Sequence, residues 1–229
     1  MDEIAFLVPT TTRSRDWKKI EDTYLYTTLL SSLDVSCPHF NITVYLGYDR
    51  DDPIYSIQEN RSVISSENYS IKWVPNEPDP GNVVAVWNTL SQEALKDGFE
   101  YLFVLGDDII IPKDRDWLTV FMKQLKKNKN IGWVGGWSNN DDIATQFLIH
   151  KTHLDIFGWV FPPQIKNWYC DNFINDVYPN KYCSWLKQYK VLNVGGTPRY
   201  MPLDDKKLCA MLVRRHKSAI TRFLNQQYQ

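Results

Sequence analysis

Tyr101-Leu-Phe-Val-Leu-Gly-Asp-Asp-Ile-Ile-Ile-Pro112 is the stretch that decides the fold. Five apolar or aromatic residues lead into Gly106, Asp107 and Asp108 follow at once, and a second apolar run, Ile109 to Ile111, stops at Pro112. An apolar run without polar alternation fits a strand buried on both faces, as in a parallel sheet covered by helices. Gly106 permits a turn that other residues resist. Two adjacent anions then stand at the end of a buried strand. Adjacent carboxylates repel each other, and their natural partner is a hard divalent cation with oxygen ligands, often one that also holds phosphates. Gly-Asp-Asp is also ordinary turn chemistry, so its setting in the chain matters.

Upstream, Ile4 to Val8 reads as a first buried strand. The loop Pro9-Thr-Thr-Thr-Arg-Ser14 follows, with hydroxyls and a cation but no glycine, so it is neither a dinucleotide-binding turn nor a P-loop. It still lies at the carboxyl edge, where α/β sheets bind ligands. Asp16 is expected to cap a helix that buries Trp17, Ile20, Tyr24, Leu29 and Leu33. Ile42 to Tyr48 reads as the second strand and runs into Asp49-Arg-Asp-Asp-Pro53. A weakly patterned helix is expected over 54–65, and a third strand over 71–75. After a Pro/Gly/Asp loop, Asn82 can cap a helix with Val83, Val86, Leu90 and Ala94 inward, ending at Gly98. Strand and helix thus alternate four times, which argues for a parallel α/β sheet.

Downstream, a helix from Asp114 carries Trp117, Phe121 and Leu125. Ile131 to Trp137 reads as a strand whose glycines invite close approach by a ligand or another backbone. Further expectations are a strand over 144–150, a short helix from Thr152 to Gly158, and a helix start between Trp168 and Tyr178 with Asp171 in its first turn. A last strand over 190–194, a glycine-hinged loop from Gly195 to Pro202 and a basic amphipathic helix from Asp204 to about Leu224 complete the chain. No linker separates domains. The expectation is one domain over 1–229: a ligand-binding half over 1–112, a second half over 113–203 and a C-terminal helix over 204–229.

Composition excludes some functions. Formal net charge is -1, which argues against nucleic-acid binding through a basic surface. The basic runs Lys123 to Lys129 and Arg214 to Lys217 fall on expected helices and read as solvated faces. Nine Trp and thirteen Tyr supply faces that either stack on ligands or fill the core. The four cysteines lack Cys-x-x-Cys spacing and read as reduced thiols of a cytoplasmic protein. The acidic N-terminus, with an apolar run of only Ile4 to Val8, is neither a signal peptide nor a membrane span. The sequons at Asn41, Asn60 and Asn68 are then chance matches.

The window from Gly81 to Ile111 combines a helix containing Asn88, then Ala94 and Gly98, and an aromatic-apolar strand ending in Asp107-Asp108. In this it resembles the core of GT-A fold glycosyltransferases, which use nucleotide-sugar donors. The likeness extends to Ile4 to Thr12, to Gly47-Tyr48-Asp49, and to Cys170-Asp171 followed by Phe173, Ile174 and Val177. It implies a mostly parallel central sheet flanked by helices, with a Rossmann-like first half. It also implies a hexosyltransferase that moves a sugar from a nucleotide-diphosphate sugar, UDP being the commonest choice, to a hydroxyl of a glycan or glycoconjugate. By the same resemblance Asp108 is the main ligand of Mn2+ or Mg2+, with Asp107 in support or facing the ribose. Thr10, Thr11, Thr12 and Asp49 hold the base and ribose, Arg13 serves the diphosphate, and Asn88 belongs to the donor-binding set. The resemblance also makes Asp171 the base of an inverting transfer, where the residue alone reads equally as an acid favoured at a helix start, and a late histidine among His150, His153 and His216 a further metal ligand, where a lone histidine otherwise reads as structural. Apart from the resemblance, Trp137 and Trp168 either stack on sugar or fill the core, and Arg199 sits in a glycine-hinged loop from which it could close over the diphosphate. The compactness is similar to small glycosyltransferase domains of large DNA viruses of algae, which would place the protein in a host cytoplasm.

Two positions depart from the family pattern. Gly106 stands where the first acid of Asp-x-Asp is expected, and Trp87 where a basic residue often precedes the helix asparagine. Gly106 keeps open a catalytically impaired binding domain of the same fold. A sugar nucleotidyltransferase shares the sheet and the metal, but would want glycines in the first loop. The Gly-Asp-Asp hairpin of RNA-dependent polymerases is disfavoured by chain length, charge and the strand–helix run before the motif.

Overall fold

The computed structural model describes residues 3–36 and 40–227; Cys37 lies outside them. The apolar runs of the first half become β1 (Glu3–Pro9), β2 (Asn41–Asp49), β3 (Ser70–Asn76) and β4 (Tyr101–Val104). They pair in parallel in the order β3-β2-β1-β4. Ala5, Phe6, Leu7, Leu102 and Phe103 are wholly buried, so both sheet faces are covered and no alternation survives in the sequence. The helices are α1 (Ser31–Ser36), α2 (Gln58–Ser62), α3 (Val83–Lys96), α4 (Trp117–Lys127), α5 (Thr152–Phe157), α6 (Cys170–Val177) and α7 (Lys206–Gln227).

The motif strand does not continue past its glycine. After Gly106-Asp107-Asp108 the chain leaves the sheet, and β5 (Ile109–Ile110) pairs antiparallel with β9 (Leu192–Asn193) in a separate two-stranded ribbon. That ribbon carries the loop after Asn193 to the carboxyl end of β4. The large sheet is completed by β7 (Phe147–His150), antiparallel to β4, then β6 (Trp133–Trp137) and the edge strand β8 (Cys183–Lys190). The result is a mixed α/β fold with a mostly parallel central sheet, helices on its faces and a C-terminal helix.

Several local expectations change. Asp16 does not cap a helix; it is exposed and pairs with Lys18. The helix begins instead with a π-helical segment, Leu25–Leu30, running into α1. The buried Thr23 hydroxyl donates to the Ile20 carbonyl at 2.6 Å and accepts from the Tyr26 amide at 3.4 Å, so it takes over the start. The helix expected over 54–65 shrinks to α2, because Asp52 draws the Ile54 and Tyr55 amides into a turn at 3.0 and 2.9 Å. Strand β8 gave no apolar signal because it is an edge strand with half-exposed and lysine positions. Gly135 and Gly136 admit neighbouring backbone rather than a ligand: a Cβ there would lie 2.7 Å from the Gln146 carbonyl and 2.4 Å from that of Tyr189. Cys170, Cys183 and Cys209 are free thiols. Among the described residues no helix is long and apolar enough to cross a membrane.

Candidate active site

In the order β3-β2-β1-β4 the connections run outward from β1 in both directions, so the switch point of the sheet lies between β1 and β4. The loops after these two strands flank that crevice. Trp87, on α3, seals its floor: Nε1 donates to the carbonyls of Leu7 and Leu105, each at 3.2 Å. Thr10 Oγ1 donates to Asp107 Oδ2 at 2.7 Å and so ties the first loop to the motif.

The two motif carboxylates have opposite surroundings. Asp107 is fully buried. Arg199 grips it through both guanidinium nitrogens, Nη1 to Oδ2 at 2.7 Å and Nη2 to Oδ1. With Thr10 added, both carboxylate oxygens are engaged. Asp108 faces open space and is only approached by its neighbours, Arg199 Nη2 at 3.7 Å and Asn193 Nδ2 at 3.4 Å. Burial, and then the charge of Asp107, push its carboxyl upward against the opposing pull of Arg199 and Arg15. Its side chain sits between two glycines. A Cβ on Gly195 would lie 1.8 Å from Asp108 Oδ2, and one on Gly106 would lie 2.8 Å from Oδ1. A side chain at 106 would push the Asp108 carboxylate aside, so the glycine leaves that carboxylate in its present place.

Two cavities meet at this edge. The smaller, about 240 Å³, is lined by Thr10, Thr11, Arg13, Asp49, Val86 and Met201 among others. The larger, about 520 Å³, is lined by Asp108, Asp171, Trp87, Trp168 and a group of amides and hydroxyls. Pro9, Val83, Arg199 and Tyr200 line both, and Arg199 is the only charged member of that shared wall. Arg199 is fixed from several sides. Nη1 also donates to the Thr11 carbonyl at 3.0 Å, and the guanidinium lies over the Tyr24 ring, 5.8 Å from its centroid. Arg15 holds the same loop through the carbonyls of Gly195 and Thr197.

Asp171 stands in the first turn of α6 on the wall of the larger cavity. Among the described residues no cation pairs with it. Its carboxyl meets only the Cys170 thiol, at 3.7 Å, and burial pushes it up to about 7. A carboxyl that exchanges its proton near neutrality beside an open cavity suits general-base work.

The remaining expected residues divide. Thr10, Thr11, Arg13 and Asp49 line the smaller cavity. Arg13 Nε donates to Asp49 Oδ2 at 3.1 Å, and its other end reaches Asp51. Burial raises the Asp49 carboxyl, with Arg13 opposing. Thr12 lines neither cavity; its amide and hydroxyl both bond to the buried Asp52, each at 2.8 Å. Asn88 also lines neither. Its Oδ1 accepts from the amides of Val160 and Phe161 at 2.9 and 3.1 Å and its Nδ2 donates to the Phe161 carbonyl at 2.9 Å, so it clamps α3 to the loop before α6. Asp107 lies behind the cavity wall rather than in it.

His150, His153 and His216 stay away from the cavities. His153 is buried against Tyr178 Oη and the Val160 carbonyl, and burial lowers it to about 4. His150 bonds to Thr152, and His216 packs against Trp159. Trp137 lies under Lys190 with its Nε1 on Asp141, so of the two tryptophans expected to stack on sugar only Trp168 reaches a cavity. Arg199 carries more of the geometry than its sequence showed; the glycine pair before it was the signal. Asp52 and Tyr200 left none, because an acid among acids and a tyrosine among thirteen do not stand out.

A divalent cation fits here in one way. Among the described residues no three His, Cys, Asp or Glu side chains converge on a point. Of the two motif acids Asp107 is engaged, and Asp108 faces the cavity with incomplete compensation of its charge. Mg2+-like ions bound by one or two carboxylates take their other ligands from substrate phosphates and water, and Asp108 suits that arrangement rather than a cage of protein ligands.

No protein-family model and no curated protein matches this sequence. Solved structures match its fold. S. aureus TarS superposes with a TM-score of 0.58 at 15% identity, over 100% of this chain and 44% of that one. TarS residues 1–349 in complex with UDP-GlcNAc give 0.60 at 14% identity, over 100% of this chain and 73% of that one. A Desulfovibrio desulfuricans G20 protein, provisionally assigned as a nucleotide-diphospho-sugar transferase, gives 0.51 at 12% identity, over 97% and 99%. The chain therefore spans less than half the length of full TarS. At these identities the likeness concerns architecture, and the architecture is GT-A-like.

Proposed function

We propose that the protein is a nucleotide-sugar-dependent glycosyltransferase that uses a UDP-sugar and inverts the anomeric centre. One observation carries the reading: two cavities meet at a wall whose single charge is Arg199, with Asp108 and Asp171 on the larger one. A nucleoside in the smaller cavity and a sugar in the larger would place the diphosphate between them, against Arg199. A neighbour of the same fold that binds UDP-GlcNAc supports the donor class.

In this reading Thr10, Thr11, Arg13 and Asp49 line the nucleoside side. Asp108 would hold Mn2+ or Mg2+ together with the donor's phosphate oxygens. Such an ion, when bound, offsets charge on the leaving nucleoside diphosphate. Asp171 takes the proton from an acceptor hydroxyl. The oxygen bonds to the anomeric carbon, and the bond from that carbon to the diphosphate breaks on the opposite face, so nucleoside diphosphate leaves with the electron pair. Asp107 does no chemistry; it positions Arg199.

The test is a thermal-shift panel of nucleotides and nucleotide sugars with Mn2+ and with EDTA, followed by donor hydrolysis and transfer assays. A UDP-sugar that stabilises the protein and is then turned over is the expected result. No stabilisation by any nucleotide would sink the reading. Gly106 favours a second reading, a binding domain without turnover. Stabilisation with neither hydrolysis nor transfer under any metal would select it. Release of pyrophosphate from a sugar phosphate and a nucleoside triphosphate would instead mark a nucleotidyltransferase.

A further inference from the structure

Part of the larger cavity's wall is built from uncharged hydrogen-bonding groups, and one of them has an unused donor. Gln146 is 5% exposed and lines the cavity. Its Oε1 accepts from Thr145 Oγ1 at 2.8 Å, while among the described residues nothing accepts from its Nε2. Beside it the hydroxyls of Ser138 and Thr145 bond to each other at 2.6 Å. Asn140 Oδ1 accepts from the amides of Asp142 and Ile143, at 2.9 and 3.0 Å, which turns its own amide group into a donor. A buried amide whose donors are left over costs stability unless water or a ligand takes them.

This wall is held in register with Asp171. Asn175, one turn along α6, accepts from the Ala144 amide at 3.2 Å and donates to the Ala144 carbonyl and the Asp171 carbonyl, each at 2.8 Å. At the rim, Trp168 is 49% exposed. Its backbone is fixed all the same, because the buried Asn167 accepts from the Trp168 and Leu203 amides at 2.7 and 3.0 Å and donates to the Gly81 carbonyl at 2.8 Å. An immobilised indole at the mouth of a polar cavity offers a flat apolar face to a ring whose edge is polar.

We propose that this wall is an acceptor subsite for an uncharged sugar ring, with Gln146 donating to a ring oxygen substituent and Trp168 covering the apolar face. The inference rests on the glycosyltransferase reading above. Charge decides against an anionic acceptor. The charged side chains on this cavity are Asp108, Asp171 and Arg199, and in the reading above Arg199, besides its pairing with Asp107, is taken up by the donor diphosphate. A phosphate or carboxylate on the acceptor would meet Asp171 with no cation to balance it.

The experiment uses the full chain and the nucleotide sugar that gives the largest thermal shift. Acceptor probes are p-nitrophenyl glycosides of glucose, galactose and N-acetylglucosamine, set against p-nitrophenyl glucuronide and a phosphorylated glucoside. Transfer to neutral probes only is expected. Gln146→Ala and Trp168→Ala should each raise the acceptor KM about tenfold or more while the donor KM moves by less than about twofold. Gln146→Met keeps the length, removes the donors and adds no charge, so it should match Gln146→Ala, and an unmoved donor KM shows that the effect is not a folding defect. Equal or better transfer to the anionic probes, hydrolysis of the donor with transfer to no neutral probe, or an acceptor KM unmoved by all three variants would overturn this inference and leave the enzyme class intact. A protein that binds no nucleotide sugar would overturn the reading beneath it.

Discussion

The two cavities share a wall but treat their carboxylates differently. On the smaller one, Asp49 has Arg13 at 3.1 Å, and Asp79 has Asn82 Nδ2 at 2.7 Å and Lys166 at 3.5 Å. On the larger one, Asp108 has a guanidinium at 3.7 Å and the Asn193 amide at 3.4 Å, and Asp171 has no cation partner among the described residues. Acids with close partners hold loops in place, and at Asp49 the pull of Arg13 opposes the rise that burial causes. Acids denied partners hold a proton at higher pH, which is costly for folding and useful for moving protons. In the proposed reading this contrast marks the smaller cavity as the binding side and the larger one as the reacting side.

The sharpest way to break that contrast is Asp171→Asn. If Asp171 is the base, kcat falls by about 10²–10⁴-fold while nucleotide affinity holds. The wild-type turnover should also rise as pH passes about 7, where burial sets the Asp171 carboxyl. Stability should run the other way. The folded-state value lies above the unfolded one, about 3.9, so this group's contribution is fully present below about pH 4 and is lost as pH rises through about 7. Asp171→Asn should flatten both slopes. A variant with ordinary turnover, or a wild type with no acidic limb, removes Asp171 from the chemistry.

Next in size is Arg199→Met. It leaves Asp107 buried with only Thr10 as partner, and breaking a buried pair from one side costs about 3–5 kcal/mol. Urea denaturation measures the loss. Adding Asp107→Asn to the same chain should restore most of it, because the uncompensated charge is then gone. If the double variant is no better than the single one, Arg199 stabilises through its bonds to the loop and not through Asp107.

Asn88→Ala tests a residue that sequence and structure place differently. The GT-A resemblance puts Asn88 among the donor-binding residues; the structure shows a side chain bonded on three sides to residues 160 and 161. Loss of the clamp leaves two buried amides unmatched and should cost about 1–3 kcal/mol, with the donor Kd nearly unchanged. A weakened donor Kd with full stability would return Asn88 to the donor site.

What the sequence disclosed follows the same physics. The parallel half was legible because strands covered on both faces must be apolar throughout, as Ala5 to Val8 and Leu102 to Val104 are. The motif acids were legible as a pair, but not their division of labour. That division depends on Arg199, which is 92 residues away in sequence from Asp107 and arrives on the β5–β9 ribbon. Gln146 and Asn167 gave no local signal either, since an amide's role is set by which neighbours consume its donors and acceptors. Edge strand β8 was missed for the converse reason: half of it faces solvent, and nothing in its composition marks it as a strand.

The smallest effect is expected where acids are closely partnered but the pairing is exposed. Lys72 pairs with Asp97 at 2.7 Å and Glu93 at 3.6 Å on β3 and α3, lining neither cavity. These acids are partnered as closely as Asp49, yet the pairing is exposed. Lys72→Met should therefore cost only about 0.2–1 kcal/mol, less in high salt, and leave nucleotide affinity alone. If the loss instead matched that of Arg199→Met, pairing as such would be stabilising anywhere on this fold. The difference between the cavities would then say nothing about which carboxylates were left free to react.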